Sequence, residues 1–255
     1  MDAIVKINDL SMKYQSANGE IEAISHIDLL VKKGEFVSIV GPSGCGKSTL
    51  LSMIAGLLPP TRGSILVGGR PAGKADPMIG YMLQKDHLFG WRTILQNALL
   101  GLEVRGRCIR EDIDYVHALL KTYGLWEFRN KYPAQLSGGM RQRAALIRTL
   151  ATRPEILLLD EAFSALDYQT RLAVCDDIYA IIRREGKTAV MVTHDISEAI
   201  SMADRVIVLS TRPSQIVGEH VIRFAGDAHA PMLRREAPEF AGYFNAIWKE
   251  LDIHV

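Results

Sequence analysis

Eight consecutive residues, Gly41-Pro42-Ser43-Gly44-Cys45-Gly46-Lys47-Ser48, match the pattern GxxxxGK[ST], and Thr49 follows them. Glycines there let the backbone curl so that successive N–H groups point inward at anionic oxygens. A helix starting at the end of the loop adds about half a positive charge at its N-terminus. Lys47 then reaches the terminal phosphates of a nucleoside triphosphate, and the Ser48 hydroxyl holds Mg²⁺. A second group, Asp160-Glu161, closes an apolar run. Asp160 is expected to hold the metal directly or through water, and Glu161, pointing the other way, to orient or deprotonate an attacking water. Phosphoryl transfer to water needs those parts: a metal-bridged triphosphate, a positioned water and cations at the transferring group. Two acids after a strand also serve as a helix N-cap; beside a phosphate loop the catalytic role is the expectation. Cys45 has two readings, a thiol activated by the positive potential of the helix start or an inert small residue filling the turn.

Certain elements must position these groups. Residues 36–40 form a short, β-branched apolar run suited to a buried parallel strand. After the loop, Leu50, Leu51, Ile54, Leu57 and Leu58 predict a helix stopped by Pro59-Pro60. Upstream, Ile27, Leu29 and Val31 alternate cleanly, a polar turn falls at residues 16–19, and the start of the chain reads as antiparallel β. Residues 156–161 and 188–193 are buried strands ending in Asp160-Glu161 and His194-Asp195, each followed by a helix. That alternation predicts a parallel sheet covered on both faces, with ligands at the carboxyl ends of its strands. Between Gln84 and Leu136 the pattern is helical without strands, which predicts an inserted subdomain over residues 85–136, with a following helix to about residue 152. At the C-terminal end, Phe240, Tyr243, Phe244, Ile247, Trp248 and Leu251 make a helical apolar stripe, for the chain's own core or for a partner.

Composition sets bounds. The chain has 255 residues, 48% hydrophobic and 23% charged, ordinary for a globular α/β protein. Thirty Lys and Arg against 29 Asp and Glu leave a net charge of +1, so charge makes no case for nucleic acid or an anionic membrane surface. No apolar run is long enough for a membrane span, and the first residues do not read as a secretion signal. Cys45, Cys108 and Cys175 lack CxxC spacing, so neither a disulfide framework nor a zinc site is expected, and a reducing, cytoplasmic setting fits.

The phosphate loop, Gln84 at the end of a strand, Leu136-Ser137-Gly138-Gly139-Met140-Arg141-Gln142-Arg143, residues 156–161, Ser164-Ala165-Leu166-Asp167 and His194 occur in one order. The chain thereby resembles the ATP-binding subunit of ABC (ATP-binding cassette) transporters up to about residue 225, with residues 226–255 as an appended tail. The resemblance implies an α/β P-loop NTPase core with an N-terminal antiparallel β part and an inserted helical subdomain. It implies ATP and Mg²⁺ as cofactors, Tyr14 stacking on adenine, and Gln84 contacting the metal or the attacking water. It also implies His194 on the γ-phosphate and Asp167 at a cassette–cassette interface. Ser137, Gly138 and Gly139 would complete the ATP site of a second copy, so two ATP molecules would be sandwiched in a homodimer. Partners implied are integral membrane permease subunits, docked at Leu88-Phe89-Gly90-Trp91, and indirectly a solute-binding protein, at the cytoplasmic face of the inner membrane. Simple packing within the subdomain is the other reading of that aromatic loop. Met140, Ala162 and Gly90 depart from the commonest family pattern, but none is a phosphate or metal ligand. LSGGMRQR, FGWRT and RPSQIVGEH look most like the nitrate/sulfonate/taurine importers. The alternative, a soluble ABC ATPase acting on nucleic acid or the ribosome, lacks its long coiled coil or its second cassette here.

Overall fold

A computed structural model describes residues 3–16, 19–73, 76–225 and 230–253. Two strands of 14 residues, β1 (Ala3–Ser16) and β2 (Gly19–Lys32), pair antiparallel. β4 (Arg62–Val67) and β5 (Arg70–Pro71) extend them into a four-stranded sheet of order β2-β1-β4-β5. The antiparallel start expected from the sequence is present, and β1 is longer than its weak alternation suggested. The turn expected at residues 16–19 falls partly on 17 and 18, outside the described residues.

The second sheet contains β3 (Phe36–Val40), β6 (Ile79–Met82), β7 (Ile156–Asp160), β8 (Thr188–Thr193), β9 (Arg205–Leu209) and β10 (Ile216–Val221), in the order β10-β9-β3-β8-β7-β6. All of its pairings are parallel except β10 with β9. Every residue of β3, β7 and β8 is buried, as a strand covered on both faces requires. Period-2 alternation sends Val37, Ile39, Leu158, Val190 and Val192 to one face, under α1 (Lys47–Ile54) and the antiparallel sheet. Phe36, Val40, Leu157, Leu159 and Met191 go to the other. There they meet α2 (Ile94–Val104), α3 (Arg110–Thr122), α4 (Gly138–Leu150), α5 (Tyr168–Arg184) and α6 (Ile196–Met202).

α1 is shorter than its apolar stripe implied. It ends at Ile54, Gly56 takes φ +67°, and Leu57 is exposed. A Cβ on Gly56 would lie 2.4 Å from the Gly73 backbone, so the chain turns away there instead of continuing the helix. α2 and α3 share one continuous core with α4 to α6. The tail forms α7 (Pro231–Glu236) and α8 (Pro238–Ile253). α8 buries Ile247 completely and packs Phe240, Tyr243, Phe244 and Leu251 on the same core, which leaves Trp248 exposed.

Candidate active site

Parallel strands put all their carboxyl ends on one edge of the sheet, and the candidate site residues lie along this edge. Reading across β3, β8, β7 and β6, it presents the phosphate loop, His194, Asp160-Glu161 and Gln84.

The loop leaves β3 through Gly41, where a Cβ would come within 2.8 Å of Cys45 Sγ and 3.1 Å of the Leu209 carbonyl. It enters α1 through Gly46 at φ 116°, a left-handed conformation that L side chains rarely adopt. Among the described residues no side chain caps α1, whereas Thr93, Ser137, Asp167 and Asp195 cap α2, α4, α5 and α6. The start of α1 is thus left to an external anion. Lys47 is buried, and its ammonium donates to the carbonyls of Gly41 (2.8 Å) and Pro42 (2.9 Å), which holds it inside the curl of the loop. Pro42, Ser43 and Gly44 form the outer turn, closed by Cys45 N–H donating to Pro42 O at 3.2 Å. Thr49 Oγ1 lies 3.2 Å from the Tyr14 hydroxyl, so the half-exposed Tyr14 stands beside the first turn of α1.

Cys45 corrects the activated-thiol expectation. Its side chain is 2% exposed, and burial raises its pKa, a larger effect than the lowering by the Lys47 charge. Desolvation favours the neutral thiol, so Cys45 is the inert filler of the turn.

The Ser48 hydroxyl donates to Asp160 Oδ1 at 2.8 Å, which brings both expected metal ligands together. Among the described residues no cluster of three or more His, Cys, Asp or Glu is placed to hold a metal ion. One carboxylate and one hydroxyl fit Mg²⁺, which takes few protein ligands and completes its shell with phosphate oxygens and water. Those two residues would hold it, and bound there it would neutralise charge on the phosphates.

Glu161 adopts φ +43°, a left-handed conformation costing a non-glycine residue about 1–3 kcal/mol. Its N–H donates to Val192 O at 3.0 Å and its carbonyl accepts from Ser164 Oγ at 3.0 Å, which pin the strained turn. The turn aims the carboxylate at its neighbours: Oε2 lies 3.2 Å from His194 Nδ1 and accepts from Gln84 Nε2 at 3.3 Å. Glu161, His194 and Gln84 therefore form one polar group over the sheet edge, drawn from β7, β8 and β6. The exposed Ser137 caps α4 by accepting from Met140 N–H at 3.3 Å. Gly138 is set close to Leu166, and Gly139 to Val174. No hydrogen bond of the described residues ties Ser137, Gly138 or Gly139 to the phosphate loop.

Sequence reasoning did not bring four further side chains to this site. The Tyr81 hydroxyl donates to Asp160 Oδ2 at 3.1 Å, and burial pushes that hydroxyl's pKa up to about 12. Arg171 donates to Leu166 O (3.0 Å) and Asp195 Oδ2 (3.4 Å), joining the turn after β7 to the turn after β8. Trp248 and Leu251 of α8 face Gly41, Pro42, Ser43 and His194 across a groove of about 370 Å³. The apolar stripe of the tail would have suggested that Trp248 packs somewhere, but not where.

Comparison with known proteins fits this geometry. Residues 24–164 match the family model described as ABC transporter. An uncharacterized ABC transporter ATP-binding protein of Bacillus subtilis, YtlC, is 44% identical over 98% of this chain and 96% of its own. The nitrate import ATP-binding protein NrtD of Synechocystis is 40% identical, covering 95% and 93%. The taurine import ATP-binding protein TauB of Roseobacter denitrificans is 36% identical, covering 96% and 94%. Among solved structures, the dimeric post-hydrolysis state of the ATP-binding cassette MJ0796 bound to ADP and Pi superposes with a TM-score of 0.73 at 34% identity, over 86% of this chain and 99% of that one.

Proposed function

We propose, from the premise that this chain belongs to the ABC transporter family, that it is the ATP-hydrolysing subunit of an importer for small anions such as nitrate, sulfonates or taurine. The ATPase activity and the transporter setting come with the family. The anion class rests on the likeness to the nitrate and taurine import proteins. In this reading residues 1–225 work as the ATPase unit and 226–255 as its appended helical tail. Two copies, each bearing one set of motifs, sandwich two ATP molecules at the cytoplasmic face of the membrane. Their closure is passed to separate permease subunits at the exposed Trp91, which stacks on Phe89 at 4.8 Å. A solute-binding protein delivers the cargo to those subunits.

Gly41 to Thr49 and Lys47 bind the phosphates and Tyr14 meets the adenine, while Ser48, Asp160 and Gln84 serve the metal. Glu161 orients or deprotonates the attacking water, and His194, held beside it, steadies the γ-phosphate. Ser137, Gly138 and Gly139 reach the ATP of the second copy. One observation carries this reading: the Glu161 carboxylate stands between His194 and Gln84 at the sheet edge that bears the phosphate loop.

Glu161→Gln tests it. Turnover is expected to fall about 10²–10⁴-fold, the scale of a lost general base, with ATP affinity retained and an ATP-dependent dimer visible by light scattering. Undiminished hydrolysis would remove Glu161 from the chemistry. A protein that stays monomeric at saturating ATP would remove the self-sufficient homodimer.

A further inference from the structure

The Asp160 carboxylate is held from both sides. Ser48, in the first turn of α1, donates to Oδ1 at 2.8 Å, and Tyr81, on β6, donates to Oδ2 at 3.1 Å. Tyr81 is paired with Leu158 in the β6–β7 register, so its side chain rises on the face shared by Leu158 and Asp160. Ser48, Asp160 and Tyr81 thus join α1, β7 and β6.

The two hydroxyls on Asp160 differ in what they are free to do. Ser48 is the hydroxyl offered to a metal at the phosphate loop, where a lone pair would face the ion while its hydrogen still points to Oδ1. Tyr81 comes from the opposite side of the carboxylate and takes no part in that sharing. We infer that Tyr81 is a positioning residue for the metal: its hydroxyl fixes the plane of the Asp160 carboxylate so that Oδ1 keeps facing the ion that Ser48 would hold. This rests on the proposed function, in which Ser48 and Asp160 serve Mg²⁺. Nothing in the residue type required it, because a tyrosine on an apolar strand packs equally well through its ring.

Tyr81→Phe removes the hydroxyl and keeps the ring. The measurement is ATP affinity by calorimetry in excess Mg²⁺ and again in EDTA, each variant supplying its own ratio, so that a partly unfolded sample leaves the ratio intact. Wild type should bind more tightly with Mg²⁺. In Tyr81→Phe the EDTA affinity should stay within about twofold, while the Mg²⁺ concentration giving half of the enhancement rises about tenfold, the low end for loss of a group that orients a metal ligand. At saturating Mg²⁺ the KM for ATP should change little. An unaltered Mg²⁺ requirement in Tyr81→Phe, with wild type responding to Mg²⁺, overturns the role of Tyr81 alone. A wild type whose ATP affinity ignores Mg²⁺ overturns the assignment of Ser48 and Asp160 as well.

Discussion

At the scale of single residues, the site keeps charged and polar groups in arrangements that only neighbours make tolerable. Glu161 accepts an unfavourable backbone conformation because Val192 and Ser164 hold its peptide groups. Glu198, behind His194, is a sharper case. It is 3% exposed and accepts from the Thr193 hydroxyl, while Cys175 Sγ lies 3.8 Å from its other oxygen. Asp195, Arg171 and Arg235 supply the charges around it, yet burial dominates and pushes its carboxyl up from 4.5 to about 7. A carboxyl whose folded pKa lies above its unfolded one favours folding fully below the unfolded value and loses that contribution as pH rises through the folded value. Stability carried by Glu198 should therefore decline between about pH 4.5 and about pH 7. Melting curves of Glu198→Gln against wild type test this: the variant should gain on wild type as pH rises across that window. Parallel curves from pH 5 to pH 8 would mean that Glu198 stays ionised in the fold.

Whole elements are tied to the site by polar clamps. α4, which begins at the Ser137 cap, grips the loop after Gln84. Arg141 Nε donates to Asp86 Oδ2 at 3.0 Å, and Arg148 donates to the carbonyls of Asp86 (2.8 Å) and His87 (2.7 Å). The same loop is caged from α2 by Asn97, which is fully buried. Its amide accepts from Phe89 N–H at 2.7 Å and donates to the carbonyls of Phe89, Arg92 and Thr93. The loop is thereby tied to α4 on one side and to α2 on the other. Asn97→Ala leaves the part-buried Phe89 N–H and Arg92 carbonyl without their partner, each costing about 1–3 kcal/mol. The expected result is faster protease cleavage within residues 85–92 and a loss of roughly 2–4 kcal/mol in a urea titration. Cleavage at the wild-type rate would show that the loop is shaped by its own turns.

For the whole molecule, the tail is part of the folded body. Ile247 is fully buried in the core that α4, α5 and α6 build, and α8 brings Trp248 to the groove beside the phosphate loop and His194. Ile247→Ala should cost about 2–5 kcal/mol, the range for such core truncations, in a single cooperative urea transition. A separate early transition would make α8 an independent unit. Among the described residues, no hydrogen bond joins the start of α4 to the phosphate loop of its own chain. In the proposed reading it serves the ATP of a second copy, which makes the closed site a property of the dimer.

What the sequence determined alone is what adjacency along the chain can encode. Gly41 to Thr49 form one contiguous loop that leads into a helix start, the arrangement proposed above to bind the phosphates. Asp160, His194 and Gln84 must share an edge because each ends a buried strand of one parallel sheet. The antiparallel start, the helical insertion and the stripe on α8 were legible for the same reason: period and punctuation are local. Tertiary structure decided the rest. Tyr81 reaches Asp160, Arg171 reaches Asp195, and Trp248 reaches the groove only through strand register and helix packing between distant segments. Cys45 went the other way. Its neighbours in sequence promised an activated thiol, but the electrostatic gain near Lys47 is smaller than the desolvation imposed by burial, and burial is a property of the packed molecule.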